Sequence, residues 1–159
     1  AEVCYETDTC IANFNCPGQI VIAGHTKAVE RAIEILKQKG KKAMPLQVSA
    51  PVHSPLMKPA GIRLSETLQG VHVKELRVPV VTNVEAKANS ALERVKPLLV
   101  EQVSSPVRWE ESMRQMIEEG IEQVLEIGPG KVLSGLMKRI DPKVRTGNVE
   151  DIQSLKKIV

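Results

Sequence analysis

Aromatic residues are almost missing, with one Trp, one Tyr and one Phe in 159 residues. A core must then be built from Val, Ile, Leu, Met and Ala, and the stacked aromatic platforms that hold single-stranded nucleic acid are excluded. Nucleic acid is therefore not an expected partner. Histidine is nearly as scarce, and His25, His53 and His72 do not stand at the spacing of metal ligands, so no metal site is expected. The cysteines Cys4, Cys10 and Cys16 cannot all pair, and none forms a C-x-x-C motif, so the expected state is reduced and mostly buried thiols. No apolar run approaches the roughly 18 residues of a membrane span, and no charged-then-apolar leader precedes the chain. The expectation is a cytoplasmic protein with no membrane contact. A G-x-S-x-G nucleophile elbow is also lacking. The chain opens on Ala1-Glu2-Val3-Cys4, without a start methionine or a helix-cap signal, and reads as cut from something longer.

What is present is ordinary in bulk. Apolar residues make up 42% and charged residues 26%, the balance of a globular protein of about one domain. The net charge of +3 is unevenly spread. Lys27, Arg31, Lys37, Lys39, Lys41 and Lys42 face only Glu30 and Glu34 in one segment, and Lys131, Lys138, Arg139, Lys143 and Arg145 gather near the end. An acidic protein partner or an anionic substrate would suit either cluster, as would a solvated helix face.

Taken in order, 11–15 and 19–24 read as strands joined through Cys16-Pro17-Gly18 as a hairpin. On an alternating strand Asn13 and Asn15 would share a face. Val29, Ala32, Ile33 and Leu36 follow helical spacing, and Gly40 stands where a left-handed cap belongs. A third strand is expected over 43–48, then a helix from Pro55 carrying Met57, Gly61, Leu64 and Leu68 and ended by Gly70. Strand 78–83 follows, and His72 is expected at an exposed strand position. Helix 92–103 should break or restart at Pro97. Ser105-Pro106 reads as a cap and first turn for the helix of Trp109, Met113, Met116 and Ile117, closed by Gly120. Strand 123–127, helix 132–140, strand 144–149 and a terminal helix 151–158 complete the chain. Such alternation predicts an α/β fold with a largely parallel sheet, and the best internal boundary lies near 42–49.

Two places invite a chemical reading. Gly128-Pro129-Gly130-Lys131 follows a strand and precedes a helix, as a phosphate loop does, but it lacks the glycine spacing of either standard nucleotide motif. A tight turn is the better reading. His53 lies between the strand-like run and Ser54-Pro55, where Ser54 can cap a helix that starts on proline. A histidine at such a junction can serve as a general base if a nucleophile lies within reach and a second group fixes its tautomer. A surface histidine in a tight turn is the plainer alternative.

Four stretches, Asn13 to Gly24, Val52 to Met57, Ser105 to Trp109 and Glu126 to Leu133, together resemble the C-terminal half of the malonyl-CoA:acyl carrier protein transacylases. The resemblance implies an α/β-hydrolase-like core portion with part of a small ferredoxin-like subdomain. Residues 1–48 would be the latter part of that subdomain and 49–159 the C-terminal part of the acyltransferase subdomain. It implies that His53 is the catalytic base, that the backbone carbonyl of Gln102 orients its ring, and that Asn13 and Asn15 line the cleft. The implied reaction moves malonyl from malonyl-CoA to the thiol of an acidic acyl carrier protein through a serine ester, without a cofactor. The serine, the arginine that pairs with the malonyl carboxylate and the glutamine tied to the oxyanion hole are not in this chain, which implies a missing N-terminal half as partner. Val52 departs from the Phe or Ser that members often carry before the histidine. A polyketide synthase acyltransferase domain shares His53 to Met57, and a noncatalytic fragment that keeps the fold is a third reading.

Overall fold

A computed structural model describes residues 1–157. Helix α1 (Glu2–Thr7) leads into the antiparallel hairpin β1 (Cys10–Cys16) and β2 (Gln19–Ala23). Gly18 supplies the positive φ of 75° at its turn, which glycine adopts without a Cβ penalty. Helix α2 (Thr26–Gln38) follows. It ends as the sequence predicts: Gly40 is left-handed at φ 68°, its N–H donates to the Lys37 carbonyl, and the Lys41 N–H reaches the Leu36 carbonyl. Those two bonds satisfy carbonyls that a helix end would otherwise leave open.

A 3-10 turn, Pro55–Met57, runs straight into α3 (Lys58–Gln69). The short ribbon β3 (Val80–Val81) and β4 (Ala88–Asn89) is antiparallel, and α4 (Leu92–Glu101) and α5 (Trp109–Glu118) come next. Strands β5 (Gln123–Ile127) and β6 (Arg145–Val149) pair in parallel across the crossover helix α6 (Val132–Ile140), and α7 (Ile152–Leu155) follows. The expected last helix over 151–158 runs partly outside the described residues.

The core answers the shortage of aromatics. Cys16, Met113, Leu136, Met137, Ile140 and Val144 are buried together, with Trp109, Met116, Ile117 and Val124 packed against them. Hairpin, α5 and α6 thus share one apolar centre. Arg139 ties it from outside, donating to the Gln19 side chain and to the Pro17 carbonyl at 3.2 Å. Cys16 is buried while Cys4 and Cys10 are half-buried, and all three are free thiols.

The structure corrects several expectations. The sheet is not largely parallel: among the described residues there are three two-stranded pairings, and only β5 with β6 is parallel. Residues 43–48 form no strand: no ladder joins them to another segment, the Val48 N–H turns back to the Leu46 carbonyl at 3.0 Å, and an apolar run is a strand only when paired. The 78–83 run shrinks to Val80–Val81, and His72 lies in exposed irregular chain. Pro97 neither breaks nor restarts α4, which runs through it; one missing N–H there removes a single helical bond. Ser105-Pro106 does not cap α5. Pro106 keeps its predecessor extended, and Val107 instead joins β1, accepting from Phe14 N–H at 2.9 Å and donating to Ala12 at 2.8 Å.

Candidate active site

His53 stands where three segments converge. Its backbone is left-handed, with φ at 61°, a conformation that costs an ordinary residue about 1–2 kcal/mol. The surroundings hold it there. The His53 N–H donates to the Val103 carbonyl at 3.2 Å, and the ring Nδ1 lies 2.8 Å from the Gln102 carbonyl oxygen. A carbonyl only accepts, so Nδ1 carries the proton and the neutral ring presents an unprotonated Nε2.

The turn after His53 is locked from below. Ser54 is almost fully buried, but its hydroxyl does not cap the helix as the sequence suggests; it donates to the Pro51 carbonyl at 2.6 Å. Pro55 takes the first position of the 3-10 turn, where a missing N–H costs nothing. Gln102 and Val103 arrive from the end of α4. That helix packs on α3 at Gly61, whose place beside the Val100 carbonyl leaves no more than contact distance for a Cβ, 3.5 Å. The two helices therefore set the distance between the histidine and its acceptor.

Beside the ring is an open depression of about 400 Å³, lined by residues that include Cys4, Cys10, Ile11, Phe14, His53, Ser104 and Pro106. Burial, together with the nearby Cys4, pushes the Cys10 thiol above its ordinary value, so it is a poor nucleophile at neutral pH. Asn13 and Asn15 stand on β1 away from this lining. Register shifts between Ile11 and Asn13 and between Phe14 and Cys16 break the simple alternation expected of that strand; Ala12 and Cys16 are buried while Phe14 is exposed.

At the turn 128–131 the start of α6 is already taken by a carboxylate. Gly128 and Gly130 are left-handed at φ 141° and 87°. Where a phosphate would sit at the start of α6, Glu126 already accepts from Leu133 N–H at 3.0 Å, Ser134 N–H at 2.8 Å and Ser134 Oγ at 2.7 Å. The Ser134 hydroxyl and those backbone donors hold the Glu126 carboxyl below its ordinary range. The helix brings its own anion. Among the described residues no group of His, Cys, Asp or Glu could hold a metal ion.

Sequence reasoning missed the scaffold behind Gln102. Asn83 Nδ2 donates to Gln102 Oε1 at 3.3 Å, and the Asn83 carbonyl accepts from Arg108 N–H at 2.9 Å. The only sequence sign of Asn83 is a polar residue ending an apolar run.

The histidine whose Nδ1 is tied to a backbone carbonyl stands on a mixed α/β scaffold, and the sequence signature described as "Acyl transferase domain" matches residues 3–155. The chain belongs to that family. Within it, the chain is 49% identical over 146 residues to the malonyl CoA-acyl carrier protein transacylase of Bacillus subtilis and 45% identical over 143 residues to that of Haemophilus influenzae. Those alignments cover 91% and 89% of this chain and 46% of each relative, so the chain spans just under half the length of the curated relatives it matches. The crystal structure of an acyl carrier protein S-malonyltransferase from Vibrio cholerae is similar with a TM-score of 0.94 at 42% identity, over 100% of this chain and 54% of that one. A malonyl-transacylase solved in complex with a type II PKS acyl-carrier protein is similar with a TM-score of 0.93 at 43% identity, over 98% of this chain and 52% of that one.

Proposed function

We propose that this chain is the base-bearing segment of an enzyme that transfers malonyl from malonyl-CoA to the phosphopantetheine thiol of an acyl carrier protein. The observation that carries the reading is the 2.8 Å contact from His53 Nδ1 to the Gln102 carbonyl. It leaves Nε2 free to take a proton, and the carbonyl stabilises the imidazolium that results, the part an aspartate plays in the serine triad. The nucleophile is a serine in the part of the protein that this chain does not span.

His53 Nε2 takes the serine proton as Oγ attacks the thioester carbonyl. The tetrahedral intermediate collapses, its C–S bond breaks, and the coenzyme A sulfur leaves with the proton from Nε2. In the second half the carrier thiol gives its proton to Nε2 and attacks the malonyl ester, and serine regains the proton as it departs. Both halves are proton-neutral and need no cofactor.

The finer architecture is part of the proposal: an α/β-hydrolase-like core portion in 49–159 and the latter part of a ferredoxin-like subdomain in 1–48. Asn13 and Asn15 would line the wider cleft that forms when the N-terminal half is present. Apolar side chains support such a partner. Ile127 is 79% exposed, Val132 71% and Val48 68%, a cost that a covering subunit or domain would remove. Among the described residues no helix is long and apolar enough to cross a membrane, and the proposed location is the cytoplasm. The similar complex with a PKS carrier favours one second reading, in which the acceptor is a polyketide carrier protein.

The test is mass spectrometry after incubation with malonyl-CoA. The complete enzyme should gain one malonyl group on a serine outside this segment, and the isolated chain should gain none. A stoichiometric serine adduct on the isolated chain would overturn the placement of the nucleophile.

A further inference from the structure

We infer that Asn83 is a positioning residue for His53, acting through the side chain of Gln102. The inference rests on the proposed role of His53 and extends it to a residue with no part in that role so far. The backbone carbonyl of Gln102 fixes the ring, but Gln102 is the residue just after α4, in a turn where a carbonyl is free to swing unless its residue is tied. Two ties are visible. The Gln102 N–H bonds back to the Leu98 carbonyl at 3.1 Å, and the side-chain amide accepts from Asn83 Nδ2 at 3.3 Å. The first fixes the near side of the residue; the second fixes its far end.

Asn83 is itself anchored, which a brace requires. It is the second residue of the loop between β3 and β4, whose Thr82 N–H and Ala86 N–H close onto the Lys87 and Thr82 carbonyls at 3.1 and 2.9 Å. Arg108 grips that loop along its length. Its N–H donates to the Asn83 carbonyl at 2.9 Å, and its Nη1 donates to the Val84 and Glu85 carbonyls at 3.3 Å each. Arg108 is oriented in turn by Glu111, which accepts from its Nε at 2.7 Å and also from its Nη2. The planar fork of an arginine suits this arrangement, since its donors leave in fixed directions. A continuous path thus runs from α5 through Arg108, the 82–86 loop, Asn83 and Gln102 to the imidazole. All of these side chains but Glu111 are at least partly shielded from solvent, so water competes less for their bonds. The path explains why a turn residue can hold a base in one tautomer without a buried carboxylate.

The experiment uses the complete enzyme and a double-mutant cycle, N83L, Q102L and both. Leucine keeps the size of each side chain and removes its hydrogen bond, while Q102L retains the backbone carbonyl. Each single variant should slow serine acylation about three- to tenfold, the scale of one hydrogen bond, with the KM for malonyl-CoA unchanged. The double variant should be no slower than either single one. Imidazole nitrogen NMR supplies the second readout: the wild type should show His53 protonated at Nδ1, and each single variant should show a mixture of tautomers. Additive losses, or an unchanged His53 tautomer in Q102L, would overturn the inference. If N83L does not fold, Q102L alone carries the tautomer measurement. The underlying functional reading fails separately, when His53→Ala leaves acylation intact.

Discussion

The surroundings of His53 and the segment just before it are built from similar residues and end up in opposite states. From His53 to Met57 and from Gln102 to Val107 the polar groups at the site have partners: His53 N–H, His53 Nδ1, Ser54 Oγ and Val107 N–H and C=O. From Ala43 to Val48 the chain forms no strand, and Met44, Leu46 and Val48 are each more than half exposed. The run 43–48 reads as a strand from its sequence and Ser105-Pro106 as the start of a helix, and folding reverses both readings. What separates them is a neighbour: Val107 has β1 beside it, and no ladder joins 43–48 to another segment. Pattern proposes an element, but partner groups decide whether it forms.

The closed region can be broken most severely at the ring. In the complete enzyme His53→Ala should lower the acylation rate by roughly 10²–10⁴-fold, the loss typical of a general base, and Gln102→Ala should cost far less because the backbone carbonyl survives. Stopped-flow release of coenzyme A measures both; equal losses would mean that the Gln102 side chain itself takes part in the chemistry.

Next in size is the core under the closed region. Met137 is 1% exposed and shares a cluster with Cys16 of the hairpin, so Met137→Ala should cost about 2–5 kcal/mol of unfolding free energy. Urea unfolding of the isolated chain reads it. A loss below about 1 kcal/mol would show that hairpin and α6 do not share one core.

A smaller and pH-dependent effect should come from Glu126. Its carboxyl is held below the ordinary value near 4.5, so its charged form is favoured by folding. That contribution is complete above the ordinary value and is lost as the pH falls through the depressed folded one. Glu126→Gln should therefore lower the Tm at pH 7, and the gap to the wild type should close on acidification toward pH 3. Parallel Tm curves across that range would remove Glu126 from the account of α6.

The mildest change is expected where the open region begins. Lys37, Lys39, Lys41 and Lys42 are exposed at the end of α2 and after it, and Lys39 lies 3.6 Å from the still more exposed Glu2, a pairing of little energetic weight. As a docking patch for an acidic carrier, the four should act mainly on association rate. Replacing all four with Glu in the complete enzyme should raise the KM for carrier protein and leave that for malonyl-CoA nearly unchanged, with the defect shrinking in 1 M salt, where the screening length is about 3 Å. Unchanged carrier kinetics at low salt would transfer the docking role to Lys138, Arg139, Lys143 and Arg145.

The sequence by itself determined what short-range physics can determine. Gly18 and Gly40 mark turns that need a left-handed residue, helical spacing marks α2 and α5, and the scarcity of aromatics dictates a core of methionine and aliphatic side chains. The helical turn that starts at Pro55 beside His53 was legible because proline fixes its own φ and lacks an N–H. Only the tertiary structure decided the rest. Val107 belongs to β1 rather than to a helix cap, residues 43–48 are left unpaired, and Glu126 fills the helix start that resembles a phosphate site. Gln102 meets His53 across 49 residues of chain, and Asn83 reaches Gln102 across 19. Spacing carries no trace of such contacts, because each is set by how α3 packs on α4 and how Arg108 holds a loop, and a hydrogen bond exists only where folding has already brought its two ends together.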